Sequence, residues 1–573
     1  MEKIDINNLN SKIYKEKKWE KFYFYDKEKF NYPESFMYDY LLQSSQDHID
    51  NYCINYLGKR IKFSELFEKI DECMFSLISA GVKEGEIVSL CMPTCPETVV
   101  VMYALNKMGA VASFIDVRKD AEEIEFCLNN VKSKKLFLLD TAIPKVNSIL
   151  EKTSIDKVIY ISAFESASKI LKNVARPLQY VQGKINEFIN DSGYQSWKKF
   201  INNHQKISLY KKPQFVNNRT AIIQYTSGST GRPKAVALSN NSVNDRVYQY
   251  KNNGMVYNSK DVYMDIIPIF IAFGAVVGVH LPLCLGMEDA IIPAYSDEQI
   301  IKLLKRYNPK HFTLTPQSYN FLINNPKFKK LSFSDKLTLA CGGDGMNASE
   351  NRIYNESLAS NGCYININNG YGGSELGAPF STERNGLHKN GSVGIPLPGN
   401  NIIIFKHNTF EPADYNEIGD ICMVVNSPMV EYYNNPELTD KVKIKLSDGK
   451  TGIMLGDAGF VDDDGFLFVK GRYENVLYDN DQNEVWAVDV ENIVCNLPFI
   501  KTCAIVNSNG SNDLYIVPFG NTKYNDIEIE KIIREEIKLK FPHLDLTITK
   551  LYELPKTSSG KIDRKKLKLT KVK

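Results

Sequence analysis

The stretch Tyr225-Thr226-Ser227-Gly228-Ser229-Thr230-Gly231-Arg232-Pro233-Lys234 carries the most specific signal in this sequence. It follows the apolar run 221–223, which predicts the end of a strand. Residues 226–231 combine four hydroxyl side chains with two glycines. Glycine lets a backbone approach a ligand closely, and exposed amides and hydroxyls donate hydrogen bonds to anions. Together with the positive charge of Lys234, the stretch predicts a phosphate-binding loop.

The spacing of this loop separates it from two alternatives. A Walker loop requires G-x-x-x-x-G-K-[ST], whereas the glycines here are three residues apart and Lys234 follows Arg232-Pro233. A flexible Ser/Gly linker rarely ends in Pro-Lys and rarely lies between two apolar runs. We therefore expect a phosphate site of a different class.

Length and composition limit the class of protein. A chain of 573 residues exceeds one hydrophobic core, so two or more domains are expected. A net charge of +2 gives no reason to invoke nucleic acid or an anionic membrane. The eleven cysteines and seven histidines show no metal-binding spacing, which is typical of reduced thiols in the cytosol. These features predict a cytoplasmic protein that does not bind nucleic acid.

One segment tests that prediction. Residues 266–287 contain no Asp, Glu, Lys or Arg and are long enough to span a bilayer. Two prolines, three glycines and His280 interrupt the segment, and such breaks weaken a lone membrane-spanning helix. The charged N-terminus also lacks the apolar core of a secretory signal. We expect a buried strand-and-helix pair and no stable membrane insertion.

Apolar runs alternate with amphipathic stretches through most of the chain, which predicts an α/β protein with mostly parallel sheets. From residue 399 onward strands become short and turns frequent, and the part after residue 472 predicts a small α+β unit. Residues 183–218 are polar and predict a long surface connection. The expected strands are 88–92, 135–139, 158–161, 311–314, 400–405, 418–425, 502–506 and 514–517, and the expected helices are 98–108, 122–131 and 526–539.

Four further motifs follow the loop. They are Asn369-Gly370-Tyr371-Gly372-Gly373-Ser374-Glu375, Leu455-Gly456-Asp457, Gly471-Arg472 and Pro555-Lys556-Thr557-Ser558-Ser559-Gly560-Lys561-Ile562-Asp563-Arg564. In this order the five segments resemble the adenylate-forming superfamily of AMP-dependent synthetases and ligases, which includes acyl- and aryl-CoA synthetases, peptide-synthetase adenylation domains and firefly luciferase. Leu455 stands where that family has Thr. The resemblance covers about residues 63–564.

The resemblance implies an architecture. It predicts an α/β fold with a large N-terminal domain, residues 1–471, built of mostly parallel sheets with flanking helices and a small β-barrel-like part. A small mobile α+β domain, residues 472–573, would carry the catalytic Lys561. In the family this domain closes for adenylation and then rotates to bring up the thiol acceptor. Glu474 falls at the hinge position, where Asp or Lys is usual.

The resemblance also implies roles for the motif residues, because a carboxylate attacking the α-phosphate of ATP brings two anions together. The loop would hold the β- and γ-phosphates. Glu375 would hold Mg²⁺, Asp457 would accept both ribose hydroxyls, and Arg472 would reach ribose or phosphate. Lys561 would bridge carboxylate and α-phosphate, with Thr226 and Glu375 as further catalytic residues. The implied nucleotide-binding residues are Thr226, Ser227, Gly228, Ser229, Thr230, Gly231, Lys234, Gly342, Gly343, Asp344, Asn369, Tyr371, Gly372, Ser374, Asp457 and Arg472.

Within that set, Tyr371 would lie against the adenine, and the segment 342–344 would form the opposite wall. The family's acyl-pocket motif P-x-x-H-x-x-G reads Pro268-Ile269-Phe270-Ile271-Ala272-Phe273-Gly274 here. The predicted pocket residues are Phe270, Ile271, Phe273 and Gly274. Ile271 replaces a His or aromatic residue, which favours an apolar acid, fatty or aryl, over an amino acid.

A second departure concerns the acceptor. Thioester-forming relatives usually carry a glycine after Gly-Arg that lets the pantetheine arm pass, and residues 478–484 contain none. We predict a ligase that uses ATP, Mg²⁺ and CoA to form acyl-AMP and then an acyl thioester, as in fatty acid metabolism. The alternatives are loading of the phosphopantetheine of a separate carrier protein, or a luciferase-like monooxygenase of the same fold.

Overall fold

The computed structural model describes residues 11–25, 29–168, 193–203, 210–226, 232–342, 345–508, 510–520, 522–556 and 562–569. Two large sheets organise the first part of the chain. The eight-stranded sheet has the order Glu431–Tyr432, Lys234–Ser239, Thr220–Thr226, Val111–Phe114, Ile87–Cys91, Lys135–Leu139, Lys157–Ile161 and Tyr194–Ser196. Its strands are parallel from Thr220–Thr226 onward, whereas the first two pair antiparallel.

The second large sheet has seven strands and is parallel except at one edge. Its order is Ile367–Asn368, Thr338–Cys341, His311–Leu314, Val262–Asp265, Glu288–Ile291, Tyr52–Tyr56 and Lys59–Lys62. A shared apolar core joins the facing sides of both sheets through the helices Phe63–Ser79, Pro96–Lys107 and Asn240–Lys251.

Other helices cover the outer faces of the two sheets. Ala121–Val131 and Ile143–Asn147 pack on the eight-stranded sheet, and Ile300–Tyr307, Pro316–Asn324 and Ala348–Ser360 pack on the seven-stranded sheet. This burial on both faces explains why the central strands are continuous apolar runs rather than alternating ones. The remaining helices of this part are Lys12–Glu16, Met37–Ser44, Trp197–Asn202, Leu281–Cys284 and Pro436–Val442.

Antiparallel strands dominate after residue 369, and the part from residue 399 onward, where short strands and frequent turns were predicted, belongs to this region. The antiparallel strands form a three-stranded sheet and a five-stranded sheet among the described residues. The three-stranded sheet contains Gly370–Gly373, Ala378–Thr382 and Ile395–Pro396. The five-stranded sheet contains Asn401–Phe405, Gly419–Val425, Thr451–Val461, Lys443–Lys445 and Leu467–Arg472.

The last hundred residues form an α+β unit with a core of its own. The helix Asp526–Lys540 shows how sequence dictates it: Asn525 and Glu528 make a capping box, and buried Ile529, Ile533 and Ile537 repeat every four residues. The other elements are Val476–Tyr478, Glu484–Trp486, Ala487–Cys495, Ile500–Ser508, Ser511–Pro518, Thr547–Lys550 and Arg564–Leu569.

Two expectations need correction. Residues 193–203, predicted as part of a surface connection, contain an edge strand and the helix Trp197–Asn202, because Phe200 is buried against the core. The segment 266–287 does not contain the strand of the predicted strand-and-helix pair, because that strand ends at Asp265. The segment contains a π-helix, Gly274–His280, which leads into the helix Leu281–Cys284. Within the described ranges, no helix has both the length and the apolar character needed to cross a membrane.

Candidate active site

A cleft of about 3120 Å³ collects most of the predicted site residues. They come from strand ends of both large sheets, from the antiparallel part and from the C-terminal unit. The predicted residues that line it are Thr226, Lys234, Phe270, Ile271, Phe273, Gly342, Asn369, Tyr371, Gly372, Ser374, Glu375, Asp457, Arg472 and Glu474. Ser227, Gly228, Ser229, Thr230, Gly231, Gly343, Asp344 and Lys561 lie outside the described residues.

We call two groups of lining residues the polar wall and the apolar wall. The polar wall is Thr226, Lys234, Tyr371, Glu375, Asp457 and Arg472, and the apolar wall is Ile266, Ile267, Phe270, Ile271 and Phe273. Gly274, predicted as a pocket residue, does not line the cleft. A Cβ on Gly274 would lie 2.1 Å from the carbonyl oxygen of Pro268, so this glycine allows a close backbone contact behind the wall.

The hydroxyl-rich loop joins two antiparallel neighbours at the polar wall. Thr226 ends one strand, Lys234 begins the next, and the two residues pair directly across the hairpin. The Lys234 ammonium also lies 5.4 Å from the ring centre of Tyr432. Gln224 anchors the incoming strand, because its side-chain amide donates to the carbonyl of Ile269 over 2.9 Å. The loop therefore starts and ends at the cleft.

Three side chains that bond one another, Tyr371, Asp457 and Arg472, form the next part of the polar wall. The Tyr371 hydroxyl donates to Asp457 over 2.6 Å, and the Arg472 guanidinium lies 3.3 Å from the same carboxylate. Strand register explains this arrangement, since Asp457 and Arg472 are opposite each other in neighbouring antiparallel strands. Burial and the charge of Asp457 raise the pKa of Tyr371 well above its ordinary value, so the hydroxyl stays protonated and serves as a donor.

Glu375 is the most deeply buried carboxylate of the polar wall, with 8 % exposure. It lies in the short turn Ser374–Leu376, and the Tyr432 hydroxyl donates to its Oε1 over 2.6 Å. A Cβ on Gly373 would lie 2.9 Å from Oε2, so glycine keeps the space beside that oxygen open. Tyr432 is a contact that sequence reasoning missed, because no motif includes it.

The apolar wall has aromatic side chains on a segment that precedes the π-helix. Phe273 packs against Gly342, where a Cβ would lie 3.2 Å from its ring. Gly342, predicted as part of the adenine wall, thus also borders the apolar wall. The guanidinium of Arg118 lies 5.0 Å from the ring centre of Phe270, and Asp116 holds it through bonds of 2.9 and 2.8 Å. Sequence reasoning gave no signal for Arg118.

The C-terminal unit brings the flanks of Lys561 to the cleft. Lys556 and Ile562 form an antiparallel bridge, and both line the cleft. Three residues after Lys561, the Arg564 guanidinium binds Glu491 through bonds of 2.7 and 3.0 Å and the carbonyl of Ile505 over 2.9 Å. The chain on both sides of Lys561 is therefore fixed to the unit and faces the cleft.

The predicted hinge residue, Glu474, is exposed in the turn Tyr473–Asn475 between the two parts of the chain. Its neighbour Tyr473 stacks on His407, with ring centres 3.4 Å apart. Elsewhere an ion pair joins the two parts, in which the ammonium of Lys470 lies 2.8 Å from the carboxylate of Asp489. The contacts across this junction thus combine polar bonds with a small buried apolar cluster of Ala458, Val476 and Trp486.

The glycine-free region after Arg472 forms a tight hairpin between Val476–Tyr478 and Glu484–Trp486. The Asp479 carboxylate accepts bonds from the backbone of Asp481 and Asn483 over 2.9 and 2.8 Å. Gln482 takes a positive φ of 62°, the conformation that glycine adopts most readily. The hairpin thus closes without glycine, at a position that glycine would fill with less strain.

Comparison with known proteins agrees with these features. A family model described as "AMP-binding enzyme" matches residues 42–433. The chain is 25% identical over 509 residues to a probable 4-coumarate–CoA ligase 1 of Dictyostelium discoideum, covering 87% of this chain and 88% of that protein. It is 23% identical over 555 residues to a long-chain-fatty-acid–CoA ligase of Bacillus subtilis (strain 168), covering 93% and 94%.

Among solved structures, the anthranilate CoA ligase AuaEII in complex with anthranoyl-AMP matches with a TM-score of 0.80 at 19% identity. The match covers 93% of this chain and 97% of that one. At this identity the likeness establishes the fold, and it confirms the predicted α/β class.

Proposed function

Since the chain belongs to the AMP-binding enzyme family, as its motifs predicted, we propose that it is an AMP-forming acid–thiol ligase of the acyl-CoA synthetase type. The enzyme joins a carboxylic acid to ATP, forming acyl-AMP and releasing pyrophosphate. It then passes the acyl group to the thiol of CoA. This class agrees with the CoA ligase names of the relatives.

One observation carries the proposal: the polar wall, the apolar wall and the flanks of Lys561 border a single cleft. Acid activation needs these three features together, because an apolar acid and an anionic nucleotide must react at one point. The polar wall supplies donors for phosphate and ribose. The apolar wall gives the acid a surface from which water is excluded.

On this proposal, different side chains bind the phosphates and the ribose of ATP. Thr226, Lys234 and the loop between them bind the β- and γ-phosphates. Asp457 accepts the ribose hydroxyls, and Tyr371 and Arg472 keep its carboxylate oriented through their bonds to it. Lys561 donates to the α-phosphate and the attacking carboxylate, which stabilises the charge that develops as the bond forms.

The residues present fit a magnesium ion bound with the nucleotide. Mg²⁺ is usually held by one or two carboxylates together with substrate phosphates. Glu375 offers one carboxylate at the cleft, and the described residues contain no group of three or more metal-binding side chains. When bound, the ion would neutralise phosphate charge. Glu375 would hold it, and Tyr432 would fix the carboxylate that does so.

The proposal includes two domains, residues 1–471 and 472–573, that move relative to each other about Glu474. Its support is the exposed turn at Glu474, which lies between the two parts of the chain. A hinge needs an element end that can absorb a change in φ and ψ. The present arrangement, with the flanks of Lys561 at the cleft, suits the adenylation step.

Pyrophosphate exchange tests the first step. The protein is incubated with ATP, Mg²⁺, labelled pyrophosphate and a panel of fatty and aryl acids, and exchange of label into ATP is expected with at least one acid. If no acid supports exchange, the proposal is wrong.

Addition of CoA then tests the acceptor. The pantetheine arm is the same in CoA and in a carrier protein, so the glycine-free hairpin at residues 479–483 does not choose between these two acceptors. Exchange with an acid but no acyl-CoA would support the carrier protein.

A further inference from the structure

Tyr250 stands out among the buried tyrosines of the core. It lies near the end of the helix Asn240–Lys251, is 7 % exposed, and lines the cleft. Its hydroxyl has no hydrogen-bond partner within the described part of the chain. Tyr103 and Tyr263, by contrast, bond His280 over 2.8 Å and Thr313 over 3.1 Å. A hydroxyl that opens onto a cleft and that none of the described residues pairs with is available as a hydrogen-bond donor to a ligand.

A buried cation lies one helical turn before Tyr250. Arg246 is fully buried, and its Nη1 donates to the Asn400 side chain over 3.3 Å. Its Nε and Nη2 atoms have no partner within the described residues. Burial raises the pKa of Tyr250, whereas the positive charge of Arg246 acts in the opposite direction. The hydroxyl therefore remains protonated, and the neighbouring charge makes it a better donor.

The position of Tyr250 belongs to the apolar wall rather than the polar wall. Its helix packs against the π-helix Gly274–His280, which follows Phe270 and Phe273 directly in the chain. Tyr250 and Phe270 are members of the same apolar core. The nearby polar groups Arg246, Tyr257 and Tyr263 bond other partners, so a ligand entering along the apolar wall would find one available polar contact.

We propose that Tyr250 is a specificity-determining residue that donates a hydrogen bond to an oxygen substituent at the far end of an aryl acid, with Arg246 as its positioning residue. This rests on the proposed function. Aromatic side chains at Phe270 and Phe273 suit a planar ring, and such rings pack favourably against one another. An alkyl end would leave the hydroxyl unpaired, and sites built around a hydrogen bond discriminate against ligands that lack the partner.

The test uses matched acids and a matched variant. Pyrophosphate exchange is measured with 4-hydroxycinnamate and cinnamate, with 4-hydroxybenzoate and benzoate, and with octanoate as the alkyl acid. The wild-type protein should prefer the hydroxylated member of at least one pair in kcat/KM. Tyr250→Phe removes only the hydroxyl and should lower that preference about fivefold, the effect of one neutral hydrogen bond. The loss should be larger for the hydroxylated acid than for the unsubstituted acid, so the ratio of the two kcat/KM values measures the effect.

Tyr257→Phe is the control. The Tyr257 hydroxyl lies 3.0 Å from the Met255 sulfur, and Tyr257 does not line the cleft, so the preference should not change. Arg246→Lys keeps a charge beside Tyr250 and should retain most of the preference, whereas Arg246→Gln should lose it. A merely structural Arg246 would change thermal stability in both variants and the preference in neither.

The outcomes separate this inference from the proposed function. Exchange with no acid at all overturns both. Exchange that is equally fast for both members of each pair, or fastest with octanoate, overturns the inference and leaves the ligase intact. A preference for the hydroxylated acid that survives in Tyr250→Phe overturns the role of Tyr250.

Discussion

On the polar wall Glu375, Asp457, Tyr371 and Arg472 have side-chain partners, whereas several polar atoms beside the apolar wall have none within the described residues. Tyr432 donates to Glu375, and Asp457 pairs with both Tyr371 and Arg472. Near the apolar wall, Oδ2 of Asp265, both carboxylate oxygens of Asp289 and two nitrogens of Arg246 lack partners. The paired groups face the cleft, and the unpaired oxygens of Asp265 and Asp289 are buried.

This difference has a physical meaning. Charges that meet ATP must keep one orientation before and after it binds, and a hydrogen bond to a neighbour provides that preorganisation. Unpaired buried groups cost stability, so they persist where a ligand, a shared proton or a special role compensates. The polar wall is thus fixed in advance, and the region of the apolar wall carries unused hydrogen-bonding capacity.

The largest effect should come from removing the lysine that the proposal assigns to the acyl-phosphate bond. In Lys561→Ala the rate of acyl-AMP formation should fall roughly 10²–10³-fold, because a donor to developing charge contributes about 2.7–4 kcal/mol. Thioester formation from supplied acyl-AMP should survive, since that half-reaction no longer needs the bridge to the attacking carboxylate. Pyrophosphate exchange and acyl-CoA formation measure the two steps separately.

Lys531→Ala is the matched control, since Lys531 is 73% exposed and pairs only weakly with Glu535, at 3.9 Å. It should leave both half-reactions unchanged. An equal loss of both half-reactions in Lys561→Ala would show that the lysine does not act at the acyl-phosphate bond.

The next effect should come from the partner of Glu375, the carboxylate that we propose holds Mg²⁺. Tyr432→Phe removes the 2.6 Å bond to Glu375 without changing the shape of the side chain. Groups that orient a metal ligand typically contribute 10–100-fold to metal affinity or activity. We expect the Mg²⁺ concentration for half-maximal exchange to rise by a factor of about ten or more, with a smaller change in the KM for acid.

Tyr433→Phe is a close control, because Tyr433 belongs to an apolar cluster with Tyr225 and Val430 on the outer side of the sheet. Its Mg²⁺ dependence should match the wild type. Should Tyr432→Phe also match it, preorganisation of Glu375 would not depend on Tyr432, and the contrast between the walls would lose its best example.

The unpaired carboxylates near the apolar wall predict a dependence of stability on pH. Burial raises the pKa of Asp265 to about 8, and the Ile267 backbone bond only partly opposes this. Burial raises the pKa of Asp289 as well, with the charges of Asp265 and Glu288 acting in the same direction. A raised folded-state pKa means that the native state holds its proton more tightly than the unfolded chain. Stability is then fully present below about pH 4 and is lost as pH rises through about 8.

Asp265→Asn replaces the carboxyl by a neutral group of the same shape and should flatten this loss. Between pH 6 and pH 9 the thermal midpoint of the wild-type protein should fall, and that of Asp265→Asn should fall less. Asp50→Asn, at an exposed carboxylate, should follow the wild type. Identical pH profiles for Asp265→Asn and the wild type would mean that the buried carboxyl keeps its ordinary pKa.

The sequence predicted the polar wall far better than the apolar wall, and geometry explains why. Glu375 and Tyr371 are in one short segment, and the loop 226–234 is another, so each motif carries its own spacing. The α/β class followed for a similar reason, because strands such as Lys135–Leu139 and His311–Leu314 are continuous buried runs with the predicted bounds.

Contacts between distant segments could not be predicted in this way. Tyr432 reaches Glu375 across 57 residues of sequence, and Tyr250 joins the cleft only because its helix packs beside the π-helix. No local pattern marks either residue. Gly274 is an error of the opposite kind, in which a motif wrongly predicted a pocket residue. Gly274 packs against Pro268 and therefore lies behind the apolar wall.

The smallest expected effect concerns strain on the polar side. Ala378 follows the Glu375 turn, lines the cleft and has a φ of 116°, a conformation that side chains rarely adopt. Such strain costs of order 1–3 kcal/mol. Ala378→Gly relieves it, loses about 0.4–1 kcal/mol through the freer unfolded chain, and loses about 0.8 kcal/mol from the buried methyl group.

The central values of these terms predict a change in the free energy of unfolding of about 0.5 kcal/mol in the stabilising direction. Ala359→Gly, at an exposed position of the helix Ala348–Ser360, should instead destabilise by about 1 kcal/mol. The thermal midpoints of the two variants show whether Ala378 is strained. If both thermal midpoints fall equally, Ala378 is unstrained, and the polar wall then contains neither unpaired charge nor backbone strain. If only the midpoint of Ala359→Gly falls, the cleft is strained on both sides. The strain is then in the backbone at the polar wall and in unpaired polar groups at the apolar wall.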